Sequence, residues 1–222
     1  MTKKNSLIVL GAAVIVIGFY LLFTAVAYPA TVTLVYQEET RDKVELAYPQ
    51  IQGLSKIEVQ DKFNQAIREE VESFAAKLNT PDHSGKVSYK TEYNDQYLLS
   101  VRLTELIYVK HAAHPMTYLR AFTMNTKTGK FYKFKDIFKQ GTGYTEKINL
   151  LIEEQIAERQ IPLLNSFRGI GDNQEFYLSG DGLVIYYQLY EYTPYFYGFP
   201  KFAIPYAQIS EMLKDDFKVN SN

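Results

Sequence analysis

The sequence lacks cysteine, has three histidines and carries almost no net charge: 24 basic and 25 acidic side chains in 222 residues. Without cysteine there are no disulfides, so packing must supply the stability. Nucleic-acid binding needs a basic face, which a net charge of −1 does not favour. His111 and His114 are spaced like metal ligands, but they follow a predicted strand and only His83 is left as a third histidine. We therefore predict no metal site and no nucleic-acid partner.

The common catalytic signatures are also absent. There is no nucleophile elbow, no H-E-x-x-H and no phosphate-binding loop. Glu191 is the one glutamate within the aromatic region described below, and burial there would raise its pKa. A glycan-modifying enzyme that uses such carboxylates remains one alternative, and a structural partner of a membrane complex is another. The prediction is a protein that is not an enzyme, with no catalytic residues and no cofactor.

One long apolar run lies at the N-terminus. Residues 7–27 carry no charge and follow Lys3 and Lys4. That length spans a bilayer, and the preceding positive charges place the N-terminus inside the cell. We expect a cytoplasmic tail at 1–6, a transmembrane anchor at 7–27 and an extracytoplasmic domain at 28–222. The alternative is a secreted protein, because Ala25-Val26-Ala27 is also typical of a signal-peptide cleavage site.

Residues 28–222 mix strand and helix patterns, with hairpins between neighbouring strands. Alternating apolar residues predict strands, while a spacing of three and four predicts helices near residues 59–78 and 144–160. In the first helix the apolar face is Val59, Phe63, Ile67, Val71 and Phe74. The fold class is therefore α+β, with a mainly antiparallel sheet and two longer amphipathic helices behind one transmembrane helix. Two lobes are expected, at 31–110 and 117–215.

Residues 176–206 contain 12 of the chain's 33 aromatic side chains. We predict a central strand from Leu183 to Tyr192, buried on both faces, with Tyr186, Tyr187 and Tyr190 in the core. A loop with Pro194, Gly198 and Pro200 follows. Because loops lie on surfaces, its aromatic side chains are the predicted binding residues. They are Tyr192, Tyr195, Phe196, Tyr197 and Phe199.

Short motifs in a fixed order resemble the extracytoplasmic region of the RsiV family. They are Tyr48-Pro49-Gln50-Ile51, Ala113-His114-Pro115, Thr128-Gly129-Lys130, Asp136-Ile137-Phe138, Asp181-Gly182-Leu183-Val184-Ile185, Tyr190-Glu191, Pro194-Tyr195, Gly198 and Ile204-Pro205-Tyr206. The resemblance covers roughly residues 36–213. That family comprises the lysozyme-sensing anti-sigma factors of Gram-positive bacteria, and a similar region precedes the catalytic domain of a peptidoglycan deacetylase.

The resemblance implies a non-catalytic α+β receptor domain outside the cell. Six residues before the apolar run leave no room for the cytoplasmic sigma-binding part, so we expect a chain of this family without it. The expected partner is a lysozyme-like hydrolase or the glycan of the cell wall.

Overall fold

The larger of two sheets has six strands that lie in chain order. The computed structural model describes residues 31–218; the predicted tail and anchor lie outside this range. The strands are β1 (Thr33–Arg41), β2 (Val44–Gln52), β3 (His83–Asp95), β4 (Leu98–Val109), β5 (Met116–Asn125) and β6 (Lys130–Phe131). All neighbours are antiparallel except β2 and β3. Within the described range, no helix is long and apolar enough to cross a bilayer.

Helix α1 (Ile57–Lys77) connects the parallel pair β2 and β3 and packs on the larger sheet. A parallel connection must cross over the sheet, and a helix is the usual means. The predicted apolar face is confirmed, because all five of its residues are buried. They pack with sheet residues such as Leu99, Val101 and Leu103, which alternate along β4 with residues on its opposite face.

The second half of the domain has its own small sheet and core. Its elements are α2 (Tyr144–Glu158), β7 (Phe176–Leu178), β8 (Gly182–Tyr186), β9 (Lys201–Pro205) and the short α3 (Tyr206–Ile209), with 3-10 turns at Phe134–Ile137, Tyr195–Tyr197, Ser210–Met212 and Asp215–Phe217. Strand β8 lies between β7 and β9, and both pairings are antiparallel. The predicted α+β class, with a mainly antiparallel sheet and two longer helices, is confirmed for the described residues.

A buried polar contact joins the two sheets. Ser100 on β4 is fully buried, and its hydroxyl lies 2.9 Å from that of Thr123 on β5. The same oxygen accepts a 3.1 Å hydrogen bond from the backbone N–H of Leu178, at the end of β7. Buried polar groups need hydrogen-bond partners. The two hydroxyls and the N–H of Leu178 supply these partners to one another across the junction.

The side chain of Gln188 takes the place of a neighbouring strand beside β5. Its amide nitrogen donates to the carbonyl of Leu119 at 2.8 Å, and its oxygen accepts from the N–H of Leu119 at 3.1 Å. A primary amide presents a donor and an acceptor side by side, as a peptide group does. The segment after β8 is thereby fixed to the larger sheet.

The predicted strand from Leu183 to Tyr192 is wrong at its end, because β8 stops at Tyr186. The next position pairs with Pro200, which accepts from the N–H of Tyr187 but has no N–H to return. Tyr186 and Tyr187 are buried as predicted. Tyr190 is not a core residue: it is 45% exposed and has a φ of 65°.

Candidate recognition surface

The loop between β8 and β9 forms a short, well-braced arch. Pro194 precedes a 3-10 turn over Tyr195–Tyr197, and Gly198 ends it with a φ of 80°, which L residues rarely adopt. The buried hydroxyl of Thr193 donates to the carbonyl of Gly198 at 2.9 Å and closes the base of the arch. The turn therefore presents its side chains from a defined backbone.

Tyr195 lies in a cluster of three aromatic rings drawn from two loops. Its ring stacks on His114, with centroids 3.8 Å apart, and lies 6.0 Å from the ring of Tyr190. The hydroxyl of Tyr190 is 3.2 Å from Nε2 of His114. His114 belongs to the turn between β4 and β5, so this cluster binds that turn to the arch.

Phe196 projects from the crown of the arch. Its side chain is 81% exposed, the highest value among the exposed large hydrophobic residues of the described chain. Tyr195, beside it, is half-buried against the histidine. With the exposed Tyr190, whose ring lies beside Tyr195, these aromatic rings share one loop, and a group of exposed apolar rings is the kind of feature that marks a binding site.

The other three predicted binding residues point toward the body of the domain. Tyr192 packs edge-on against Tyr187, with centroids 4.8 Å apart. The hydroxyl of Tyr197 accepts a 3.0 Å hydrogen bond from Arg159, and Phe199 packs beside the junction of the two sheets. These rings support the arch, whereas Tyr195 and Phe196 form its outer surface.

The sequence did not reveal that His114 and Tyr190 belong to this surface. They are separated by 76 residues and meet because β4–β5 and β8–β9 place their turns side by side. The available signal was His114-Pro115 between two predicted strands, since a loop position next to proline exposes a side chain from a restricted backbone. That signal identifies a loop but not its neighbour.

A second constellation, which we call the Arg120 cluster, comprises Glu70, Glu105, Arg120 and Glu175. Arg120 Nε lies 3.4 Å from Glu70 and 3.8 Å from Glu105, and its Nη1 lies 3.7 Å from Glu175. The elements involved are α1, β4, β5 and the segment before β7. Three carboxylates thus share one guanidinium.

Burial perturbs the acids of the Arg120 cluster. Glu105 is 1% exposed, and its Oε1 has no hydrogen-bond partner within the described chain. Burial, reinforced by the charge of Glu70, raises the pKa of Glu105 to about 7. Burial also raises the pKa of Glu175, opposed by a 2.6 Å hydrogen bond from Gln188 and by the charge of Arg120.

Glu191 is not buried among the tyrosines. It is exposed, and its carboxylate accepts a 3.0 Å hydrogen bond from the N–H of Gln188. The arrangement caps a turn. Across the described chain, no three His, Asp or Glu side chains are grouped to hold a metal ion.

The two halves of the domain match two different family models. Residues 37–117 match the model described as deacetylase PdaC, and residues 135–207 match DUF3298, a protein family of unknown function. The first match covers most of the larger sheet, and the second covers the small sheet with the arch. The first half of the described domain is therefore similar to the PdaC model and the second half to the DUF3298 model.

The anti-sigma-V factor RsiV of Bacillus subtilis (strain 168) is 24% identical to this chain over 194 residues, which cover 80% of this chain and 67% of that protein. The predicted resemblance to the extracytoplasmic domain of RsiV is confirmed. Two solved DUF3298 family structures share the fold. One, from Bacteroides fragilis NCTC 9343, has a TM-score of 0.60 at 17% identity and covers 83% of this chain and 93% of its own. The other, from Pseudomonas aeruginosa PAO1, has a TM-score of 0.64 at 12% identity and covers 85% of this chain and 96% of its own.

Proposed function

We propose that this chain is a membrane-anchored, extracytoplasmic sensor protein of the RsiV type that binds a lysozyme-like hydrolase through its arch. The observation that carries the proposal is the exposed ring of Phe196 on a braced turn. Binding to such a surface costs little conformational entropy, and aromatic anchors dominate interface energetics. The homology to an anti-sigma factor supports a sensing role.

The shape of the arch favours a concave protein partner over a free glycan strand. Phe196 projects singly, while Tyr195 already stacks on His114 through one face. Aromatic side chains that hold a sugar offer a free ring face alongside the chain, whereas a projecting ring fits a cleft. A hydrolase that binds wall glycan has such a cleft.

The binding test uses the full-length chain in mild detergent, with lysozyme and tri-N-acetylglucosamine as separate probes. Phe196→Ala and Tyr195→Ala are each expected to weaken lysozyme binding by about 2 kcal/mol, which is roughly 30-fold in Kd. The matched control is Tyr36→Ala, which removes a 55% exposed ring from β1 and leaves binding unchanged. The melting temperature of each of the three variants is measured by calorimetry.

Three outcomes contradict the proposal. Wild-type protein that binds the trisaccharide but not lysozyme makes this a glycan-binding surface. A fall in melting temperature of many degrees for Phe196→Ala shows that its ring is structural. Equal loss of lysozyme binding in Tyr36→Ala places the binding surface elsewhere on the domain.

The proposed topology rests on the apolar residues 7–27 and the two lysines before them. Protease added to intact protoplasts is expected to digest the domain beyond residue 28, while the chain remains in the membrane fraction. A protected domain rejects the topology. A chain found free in the medium and beginning at Tyr28 supports the secreted alternative instead.

A further inference from the structure

The Arg120 cluster holds more negative charge than its one guanidinium balances. With all three glutamates ionised, the four side chains carry a net charge of −2, and Glu105 among them is buried while the other three are partly exposed. The other ionisable groups that act on it are Lys77 on α1, Tyr186 on β8, Glu191 after β8 and Tyr118 on β5, whose ring lies 5.8 Å from the guanidinium carbon of Arg120. Uncompensated charge in a protein interior is costly. The fold relieves the excess by keeping a proton on one of the carboxylates.

Glu105 is the carboxylate suited to carry that proton. It is the most buried of the three, and the Glu70 carboxylate beside it accepts the hydrogen bond that a protonated Glu105 donates. The pKa of about 7 places this exchange with solvent near neutral pH. When the proton leaves, Glu105 becomes a third full charge that competes for Arg120.

A chain of hydrogen bonds connects this competition to the arch. Glu175 lies 3.7 Å from Arg120 and accepts a 2.6 Å hydrogen bond from the amide of Gln188. Gln188 in turn bonds both backbone groups of Leu119, and its own N–H donates to Glu191. In the sequence Tyr190 lies between Gln188 and Glu191, and its side chain contacts His114 and Tyr195 in the ring cluster of the arch. A shift of Arg120 would therefore be passed on, through Glu175 and Gln188, to the segment that leads into the arch.

We propose that a proton on Glu105 controls the order of the arch, acting through Arg120, Glu175 and Gln188. With the proton bound, Arg120 supports Glu175, and Gln188 is held against β5. When the proton passes to solvent, Arg120 is drawn toward Glu105 and Glu70, so Glu175 and Gln188 loosen. The consequence for ligand binding rests on the proposed function of the arch, whereas the structural switch does not.

Amide hydrogen exchange of the full-length chain, followed by NMR at pH 6 and pH 8 without any ligand, tests the switch directly. The reporter is the N–H of Leu119, whose acceptor is the Gln188 side chain. After correction for intrinsic exchange, its protection is expected to be about tenfold lower at pH 8, since local opening sets the rate. In Glu105→Gln the protection is expected to be high and equal at both pH values.

Two variants act as controls for the origin of the pH effect. Glu92→Gln changes another buried glutamate, whose side chain is 5% exposed and pairs with Arg102, and is expected to retain the pH dependence. His114→Gln removes the ionisable ring at the arch and is also expected to retain it. Loss of the pH dependence in either control, or its persistence in Glu105→Gln, overturns the proposal.

Glu175→Gln keeps the test decisive if Glu105→Gln does not fold. It neutralises the intermediate carboxylate, so protection at Leu119 is expected to become independent of pH, while the Glu105 carboxyl carbon still titrates. Persistent pH dependence at Leu119 in this variant refutes the coupling. If the wild type also binds lysozyme, its affinity is expected to be several-fold higher at pH 6. Absence of lysozyme binding rejects the proposed function but leaves the exchange result intact.

Discussion

The buried hydroxyl of Ser100 offers a sharp test of how the two sheets are joined. Ser100→Ala removes only one oxygen atom, but it leaves the N–H of Leu178 without its acceptor and the hydroxyl of Thr123 without its partner. Ser100 and Leu178 are both fully buried, so water does not readily replace the lost contacts.

The expected loss follows from the two orphaned groups. Each buried donor or acceptor left unsatisfied costs about 1–3 kcal/mol, so the two orphaned groups of Ser100→Ala are expected to cost about 2–6 kcal/mol of unfolding free energy. Thr123→Val leaves the hydrogen bond from Leu178 to Ser100 in place and is expected to cost about half as much. The larger loss for Ser100→Ala than for Thr123→Val follows from the observed hydrogen bonds, in which Ser100 contacts both other groups.

Urea denaturation of both variants beside the wild type measures these values. Ser88→Ala is the matched control, because Ser88 lies half-exposed on β3 of the same sheet, and it is expected to cost less than about 0.5 kcal/mol. A Ser100→Ala loss no larger than the control refutes the account of the junction. A loss larger for Thr123→Val than for Ser100→Ala refutes the assigned role of the Leu178 N–H.

Three further predictions concern the core, a close contact and the buried acid. Phe63→Ala is expected to lower the unfolding free energy by about 3–5 kcal/mol in urea denaturation, because Phe63 is fully buried. Lys62→Ala, at the exposed neighbouring position, is expected to lower it by at most about 1 kcal/mol. Equal losses would mean that the helix face is misassigned. Gly182→Ala places a Cβ against the carbonyl of the neighbouring strand and is expected to lower stability by about 1–3 kcal/mol, whereas Gly180→Ala meets open space and is nearly neutral. In the native state the pKa of Glu105 is raised from 4.5 to about 7, so between these two pH values the native state binds more protons than the unfolded state. The unfolding free energy of the wild type, relative to that of Glu105→Gln, is therefore expected to fall by about 3 kcal/mol as the pH rises from about 4.5 to about 7. A difference between the two proteins that does not change with pH contradicts the assignment.

The helix face was predictable from sequence because it depends on local periodicity. Phe63, Ile67 and Val71 recur at helical spacing, and a helix with one apolar face has few other ways to bury it. The end of β8 was not predictable in this way. The apolar run continues past Tyr186, and the limit is set by Pro200, which directly precedes β9.

The site was predictable only as a loop with aromatic residues. Alternation along β4 places Glu105 on the same face as Leu103, but its charged neighbours Glu70 and Arg120 come from α1 and β5. Likewise, the stacking of Tyr195 on His114 depends on the positions of two hairpins. Such contacts arise from tertiary structure, which single-sequence patterns do not specify.

The amide of Gln188 has one more consequence, for self-association. A strand with free peptide groups at its margin is a template for another chain, and proteins that leave such a margin open tend to aggregate. At Leu119 that template position is already taken, by a side chain that cannot extend the pairing further. Replacing Gln188 with leucine would open one N–H and one C=O of β5 to any extended peptide, a second copy of this domain included. That exposure would be a hazard wherever copies of the domain are crowded together.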